Sequence, residues 1–89
     1  MKTIRIEVFG KVQGVYFRQA TKAFCNQTGI KGQVRNRKDG SVEIIAQGSD
    51  SAIEQLSDWA KVGPSKAAVE KIIVEEIQGQ EFTDFSIVR

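Results

Sequence analysis

Arg18 is the residue of this chain whose setting most suggests chemistry. It follows the segment Gly10-Lys11-Val12-Gln13-Gly14-Val15-Tyr16-Phe17, which lies between an alternating apolar stretch and a run of helical spacing. A phosphate site needs backbone N–H groups that converge on one point and a cation beside them. A glycine-bearing strand-to-helix loop can supply the amides, because glycine lets successive N–H groups turn inward as a nest. The first turn of the helix adds its own unbonded amides and partial positive charge. An arginine in that first turn opposes the helix dipole. A bound phosphate would offset the cost, since the guanidinium fork pairs with two phosphate oxygens. Spacing alone leaves a second reading open, a surface arginine after an ordinary loop. Lys11 and Lys22 either add positive potential or are simply solvated. The loop is not a Walker A motif, for no Gly-Lys-Ser/Thr follows at the required spacing, and it is not a dinucleotide fingerprint.

Other chemistries are set aside by composition. The 89 residues contain no histidine, which removes imidazole bases, histidine nucleophile dyads and histidine metal sites together. The single cysteine, Cys25, rules out an intrachain disulfide and is read as a small core residue rather than a nucleophile. No tight carboxylate cluster suggests a magnesium site, so neither metal nor cofactor is expected. Net charge is +2 with the basic residues dispersed, which favours a small anionic ligand over nucleic acid. The N-terminus lacks a signal core, and no apolar run reaches spanning length; a soluble, cytoplasmic monomer without membrane contact is the expectation. For a mass of 9.9 kDa, size scaling gives about 5,200 Å² of folded surface, with roughly 64% of the unfolded chain's surface buried. Residues 1–89 are thus expected to form one domain.

The elements that must position the loop follow from periodicity. Residues 3–9 alternate, with Ile4, Ile6 and Val8 on one face of a strand. Phe17, Ala20, Phe24 and Thr28 recur at helical spacing, with Cys25 beside them, and Gly29 closes the helix. Two further strands, 30–37 and 41–47, flank Arg37-Lys38-Asp39-Gly40, where Asp-Gly signals a hairpin. Ser49, Asp50 and Ser51 offer N-cap groups to a second helix, and Ser51 with Glu54 has capping-box spacing. That helix buries Ile53, Leu56 and Ala60, places Trp59 against the sheet and stops at Gly63-Pro64. In the strand at 67–77, Val69, Ile72 and Val74 can share a face only with one extra residue, so a bulge is expected near Glu70-Lys71. A last strand covers 83–88. The order β-α-β-β-α-β plus a short strand predicts an α+β, ferredoxin-like split βαβ sandwich. Its antiparallel sheet has four to five strands, with two helices on one face.

Val8-Phe9-Gly10-Lys11-Val12-Gln13-Gly14-Val15-Tyr16-Phe17-Arg18 resembles the first signature of the acylphosphatase family at every defining position. Gly32, Val34, Asn36, Gly40, Val42 and Gly48 resemble the second, with the same intervals, and Gly63-Pro64 with Ala67 and Val69 is similar to the approach to the family's fourth strand. One position departs: Gln33 stands where the family usually has an aromatic residue. On a strand Gln33 faces away from Val34 and Asn36, so the change bears on packing or exposure beside the site and leaves Asn36 in place.

The resemblance implies metal-independent hydrolysis of acyl phosphates to carboxylate and inorganic phosphate. It assigns phosphate binding to Arg18, water orientation to Asn36, and the phosphate cradle to the loop Lys11, Val12, Gln13, Gly14, Val15 and Tyr16. Without those signatures Asn36 reads equally as a turn-adjacent asparagine bonding its own backbone. The chemistry is consistent with these parts. The leaving group is a carboxylate and needs no strong acid, and the loose transition state carries charge that fixed donors stabilise. An asparagine can hold a water without ionising, and the substrate phosphate is the expected proton acceptor. Two other readings stand beside this one. A non-catalytic phosphate- or acyl-phosphate-binding domain would bind without turnover. An RNA-binding module of the same fold would need aromatic central strands, whereas the candidate strands carry Ile4, Ile6 and Val8, or Val42, Ile44 and Ala46.

Overall fold

In the computed structural model, which describes residues 1–79 and 81–88, the chain runs β1 (Lys2–Lys11), α1 (Phe17–Thr28), β2 (Lys31–Asn36), β3 (Val42–Gly48), α2 (Asp50–Ala60), β4 (Ala68–Glu76) and β5 (Phe85–Val88). The accessible surface is 5430 Å². The strands lie in the order β4-β1-β3-β2-β5. Register puts Ile4, Ile6 and Val8 opposite Ala46, Ile44 and Val42, and Val34 opposite Ile44, so alternation turns one continuous apolar face toward the helices. Phe17, Thr21 and Cys25 of α1 and Ala52, Ile53, Leu56 and Ala60 of α2 close over it. Each fully buried Ile or Leu there contributes roughly 1.5–3 kcal/mol relative to exposure. On the outer face, ion pairs Arg5–Glu75, Arg37–Glu7 and Arg35–Glu43 cover the sheet with charge.

Several details differ from the sequence expectation. The sheet is mixed, because β5 joins β2 in parallel while the other strands pair antiparallel. The connection explains this. β4 runs antiparallel to β1 and finishes at the end of the strands at which β2 begins, so the chain enters β5 from that same end. Ile77 donates its N–H to the Thr3 carbonyl at 3.0 Å, and Gly32 donates to the Asp84 carbonyl at 2.9 Å. A strand entered from that end can only run alongside β2. The cap of α2 is Ser49, whose hydroxyl accepts from the Ala52 N–H at 3.2 Å, rather than a Ser51–Glu54 box. Trp59 packs against the core and also stacks on Phe24 with centroids 5.3 Å apart and tilts against Phe17 at 5.5 Å, joining the two helices. Thr21, a polar residue in the buried stripe of α1, is satisfied by donating to the Phe17 carbonyl at 2.8 Å.

The bulge falls where the alternation requires it. Phe9 pairs with Lys71 and Gly10 with Val69, which leaves Glu70 as the extra residue of β4. Gly10 has φ +126°, and a Cβ there would stand 2.2 Å from the Ala68 carbonyl oxygen and 2.8 Å from the Glu70 nitrogen. Gly10→Ala is therefore expected to lose about 2–4 kcal/mol of stability, read as a lowered urea midpoint. A loss below about 0.5 kcal/mol, the range of ordinary surface changes, would contradict the close approach.

Candidate active site

The loop between β1 and α1 is anchored by its side chains. Val12, Val15 and Phe17 are buried, while Gly14 and Tyr16 between them are exposed. Lys11 is the last residue of β1, exposed and paired with Ala68. Gly14 has φ +74° and Tyr16 φ 63°, so a tyrosine occupies the left-handed region at a cost of about 1–2 kcal/mol. Tyr16 is the N-cap of α1; its carbonyl accepts from the Ala20 N–H at 3.0 Å, but no side chain caps the helix and no acidic residue stands in the first turn. Among the described residues, nothing accepts from the amides of Gly14 to Gln19. An unpaired amide is a costly group unless something binds it.

Asn36, at the end of β2, shares the helix-side face with Val34 and pairs with Val42. It meets the loop across a hollow of about 320 Å³ lined by Val12, Gly14, Tyr16, Phe17, Arg18, Gln19 and Asn36. Among the described residues, Arg5, Arg35 and Arg37 each meet a glutamate, whereas half-buried Arg18 meets no carboxylate. The Asn36 carboxamide likewise has no partner among them. The turn role that Asn36 could have taken belongs to Asp39, whose carboxylate accepts from the Ser41 hydroxyl at 2.5 Å and the Ser41 N–H at 2.9 Å. Those bonds, the hydroxyl's first, hold the Asp39 carboxyl below its usual range. The hollow thus brings together unbonded amides, a guanidinium without a counter-charge and an unbonded carboxamide. Such a set suits a multiply charged oxyanion and a water beside it.

The candidate residues do not all play alike parts in this geometry. Val12, Gly14 and Tyr16 line the hollow. Val15 is buried away as an anchor, and Lys11 stands outside. Gln13 turns its side chain to the β2–β3 turn, where its Nε2 donates to the carbonyls of Arg37 at 2.7 Å and Ser41 at 3.0 Å. Spacing carries no signal for that link, since it depends on how the hairpin docks. Gln33 lies on the face of the sheet opposite Asn36, in a depression it shares with Thr3, Arg5 and Arg35. No described group of three His, Cys, Asp or Glu residues could hold a metal ion, and no described helix is long and apolar enough to cross a membrane.

The chain is similar to known proteins over most of its length. A family model described as Acylphosphatase matches residues 4–87. An acylphosphatase of Pasteurella multocida is 51% identical over 81 residues, covering 90% of each chain. One of Thiobacillus denitrificans is 45% identical over 80 residues, again 90% of each. The crystal structure of an acylphosphatase from Bacillus subtilis superposes with a TM-score of 0.95 at 38% identity, covering 100% of both chains.

Cys25 is fully buried, and removal from water pushes its thiol up to about 12. An exposed thiol in the unfolded chain ionises near 8.5. Between those values the unfolded state has released a proton that the folded state retains, so this group's contribution to stability is lost as pH rises. Native protein is expected to resist alkylation at pH 8 and to label once unfolded. The fall in stability between about pH 9 and 11 should be shallower in Cys25→Ala, as measured by urea unfolding at each pH. Rapid alkylation of the folded protein would contradict this.

Proposed function

The chain belongs to the acylphosphatase family, and on that footing we propose that Arg18 and the loop amides bind the phosphoryl group of the substrate while Asn36 holds the attacking water. The protein is an enzyme that hydrolyses the carboxyl–phosphate bond of acyl phosphates to carboxylate and inorganic phosphate. The assignment of roles rests on one observation: Gly14, Tyr16, Phe17 and Gln19, whose amides have no acceptor among the described residues, border a single hollow with Arg18 and Asn36, which have no partner among them.

In this reading the phosphoryl oxygens lie against the amides and the guanidinium, which meet the negative charge without reorganising as it redistributes in the transition state. The water oxygen attacks phosphorus opposite the acyl oxygen. The bond from phosphorus to that oxygen breaks, and the carboxylate departs with the electron pair. Asn36 accepts one water hydrogen at its carbonyl, which aims the lone pair without removing the proton. The water's proton passes to a phosphoryl oxygen, since the residues lining the hollow include no carboxylate and the chain has no histidine. Binding costs little beyond desolvation because the donors are already fixed. A cytoplasmic monomer is the form we propose. Its one cysteine is buried and unpaired, and its exposed large apolar residues are few: Met1, Tyr16, Val62, and the neighbours Ile73 and Val74 of β4.

Hydrolysis of benzoyl phosphate with EDTA present tests the roles. Native activity should be unaffected by the chelator. Arg18→Ala should lose roughly 10²–10³ in kcat/KM and also bind inorganic phosphate more weakly. Asn36→Ala should lose on the order of 10² in kcat while its phosphate affinity stays within a few-fold. A native protein that binds phosphate and never turns over would sink the catalytic reading, and Asn36→Ala with native kcat would sink the role given to that residue.

A further inference from the structure

We propose that Gln13 is a positioning residue that fixes the span between the phosphate-binding loop and Asn36, an inference that rests on the role given above to Asn36. The side chain leaves the loop and reaches the turn that follows β2. Both hydrogens of its NH₂ group are committed, one to the Arg37 carbonyl at 2.7 Å and one to the Ser41 carbonyl at 3.0 Å. Two carbonyl acceptors admit only the nitrogen end of a carboxamide, so the orientation of Gln13 is forced.

The acceptors are not arbitrary. Arg37 directly follows Asn36. Its side chain pairs with Glu7 on the outer face of the sheet, while its carbonyl accepts from Gln13, so the residue next to Asn36 is tied on both sides. Ser41 is buried and begins the return into β3, where Val42 pairs with Asn36. The turn has its own bonds, with the Arg37 N–H donating to the Ser41 carbonyl at 2.8 Å and the Gly40 N–H to the Arg37 carbonyl at 3.2 Å. The loop has its own anchors in Val12, Val15 and Phe17. Each piece therefore keeps its shape without Gln13. What is lost is the tie between the piece that holds phosphorus and the piece that holds water. In-line attack depends on that separation, and a misplacement of about 1 Å can cost on the order of 10²-fold in rate.

The test is a double-mutant cycle with benzoyl phosphate, in which kcat and competitive inhibition by inorganic phosphate are both measured. Gln13→Met keeps the length of the side chain and removes the donors. It is expected to lower kcat about 10- to 100-fold while the phosphate inhibition constant stays within about threefold. In an Asn36→Ala background the same change should cost less than about threefold further, because the water it helped to aim is no longer held. Unchanged kcat in Gln13→Met, or an equal loss in both backgrounds, would overturn the proposal. So would a fall in phosphate affinity matching the fall in kcat, since Gln13 would then merely shape the loop. Native kcat in Asn36→Ala alone would overturn the role of Asn36, and the inference with it. Gln13→Glu supplies a second readout that does not depend on the first variant folding. The introduced carboxyl can donate only when protonated, so its kcat relative to native should rise as pH falls from 7 to 5, and a flat ratio would count against the tie.

Discussion

A backbone that offers its amides to a ligand cannot use those amides to hold itself in place. From Gly14 to Gln19 no described group accepts from the main-chain N–H, and each donor left without a partner and away from water would cost about 1–3 kcal/mol. The loop must therefore be fixed by other means. Val12, Val15 and Phe17 enter the core, and Phe17 rests on Trp59 of the second helix. Even Gly63, at the end of the α2 turn, is part of this support. A Cβ there would stand 2.6 Å from the Phe17 ring, so the chain at 63 closes directly over the anchor. The left-handed Tyr16 is the local cost of the arrangement, and such strain persists only where the surroundings over-determine it.

The sheet divides its labour between its two faces and its two ends. One face carries the core, and the other carries ion pairs, of which Arg5–Glu75 is exposed and worth little by itself, while Arg35–Glu43 holds a buried carboxylate. At one end Ile77 bonds to Thr3 after β4, and Gly32 to Asp84 before β5. At the other end β1 delivers the loop, β2 delivers Asn36, and α1 presents its N-terminus. The bulge at Glu70 sits beside Gly10, just before β1 gives way to the loop. A bulge bends its strand and increases the local twist, so the irregularity falls where the chain must turn out of the sheet toward the site.

Much of this was legible in the residues. The helix from Phe17 to Thr28, with Gly29 at φ +75° as its left-handed end, follows from spacing and one glycine. The Asp39-Gly40 turn follows from turn chemistry, and the bulge from a break in alternation at Val69, Ile72 and Val74. These features are local, and local rules decide them. The rest were matters of choice between neighbours. Three consecutive N-cap candidates differ only in where the first helical residue falls, which the packing of Ala52 and Ile53 decides. Trp59 lies on the flank of its helix, and its contact with the rings of Phe17 and Phe24 depends on how the two helices dock. Gln33 falls on the face opposite Asn36, as strand alternation requires, but its neighbours there, Thr3, Arg5 and Arg35, come from strand pairing.

The sequence by itself determined the elements, the face each buries, and the two motifs that carry the family and its activity, because periodicity, turn residues and signature spacing are all properties of short stretches of chain. Only the tertiary structure decided that β5 runs parallel to β2, that among the described residues Arg18 meets no carboxylate while Arg5, Arg35 and Arg37 are paired, and that Gln13 reaches across to the residue after Asn36. Each of these depends on which groups meet from distant parts of the chain. An arginine's freedom is the absence of a partner, and a partner can be assigned or excluded only once every other carboxylate has its place.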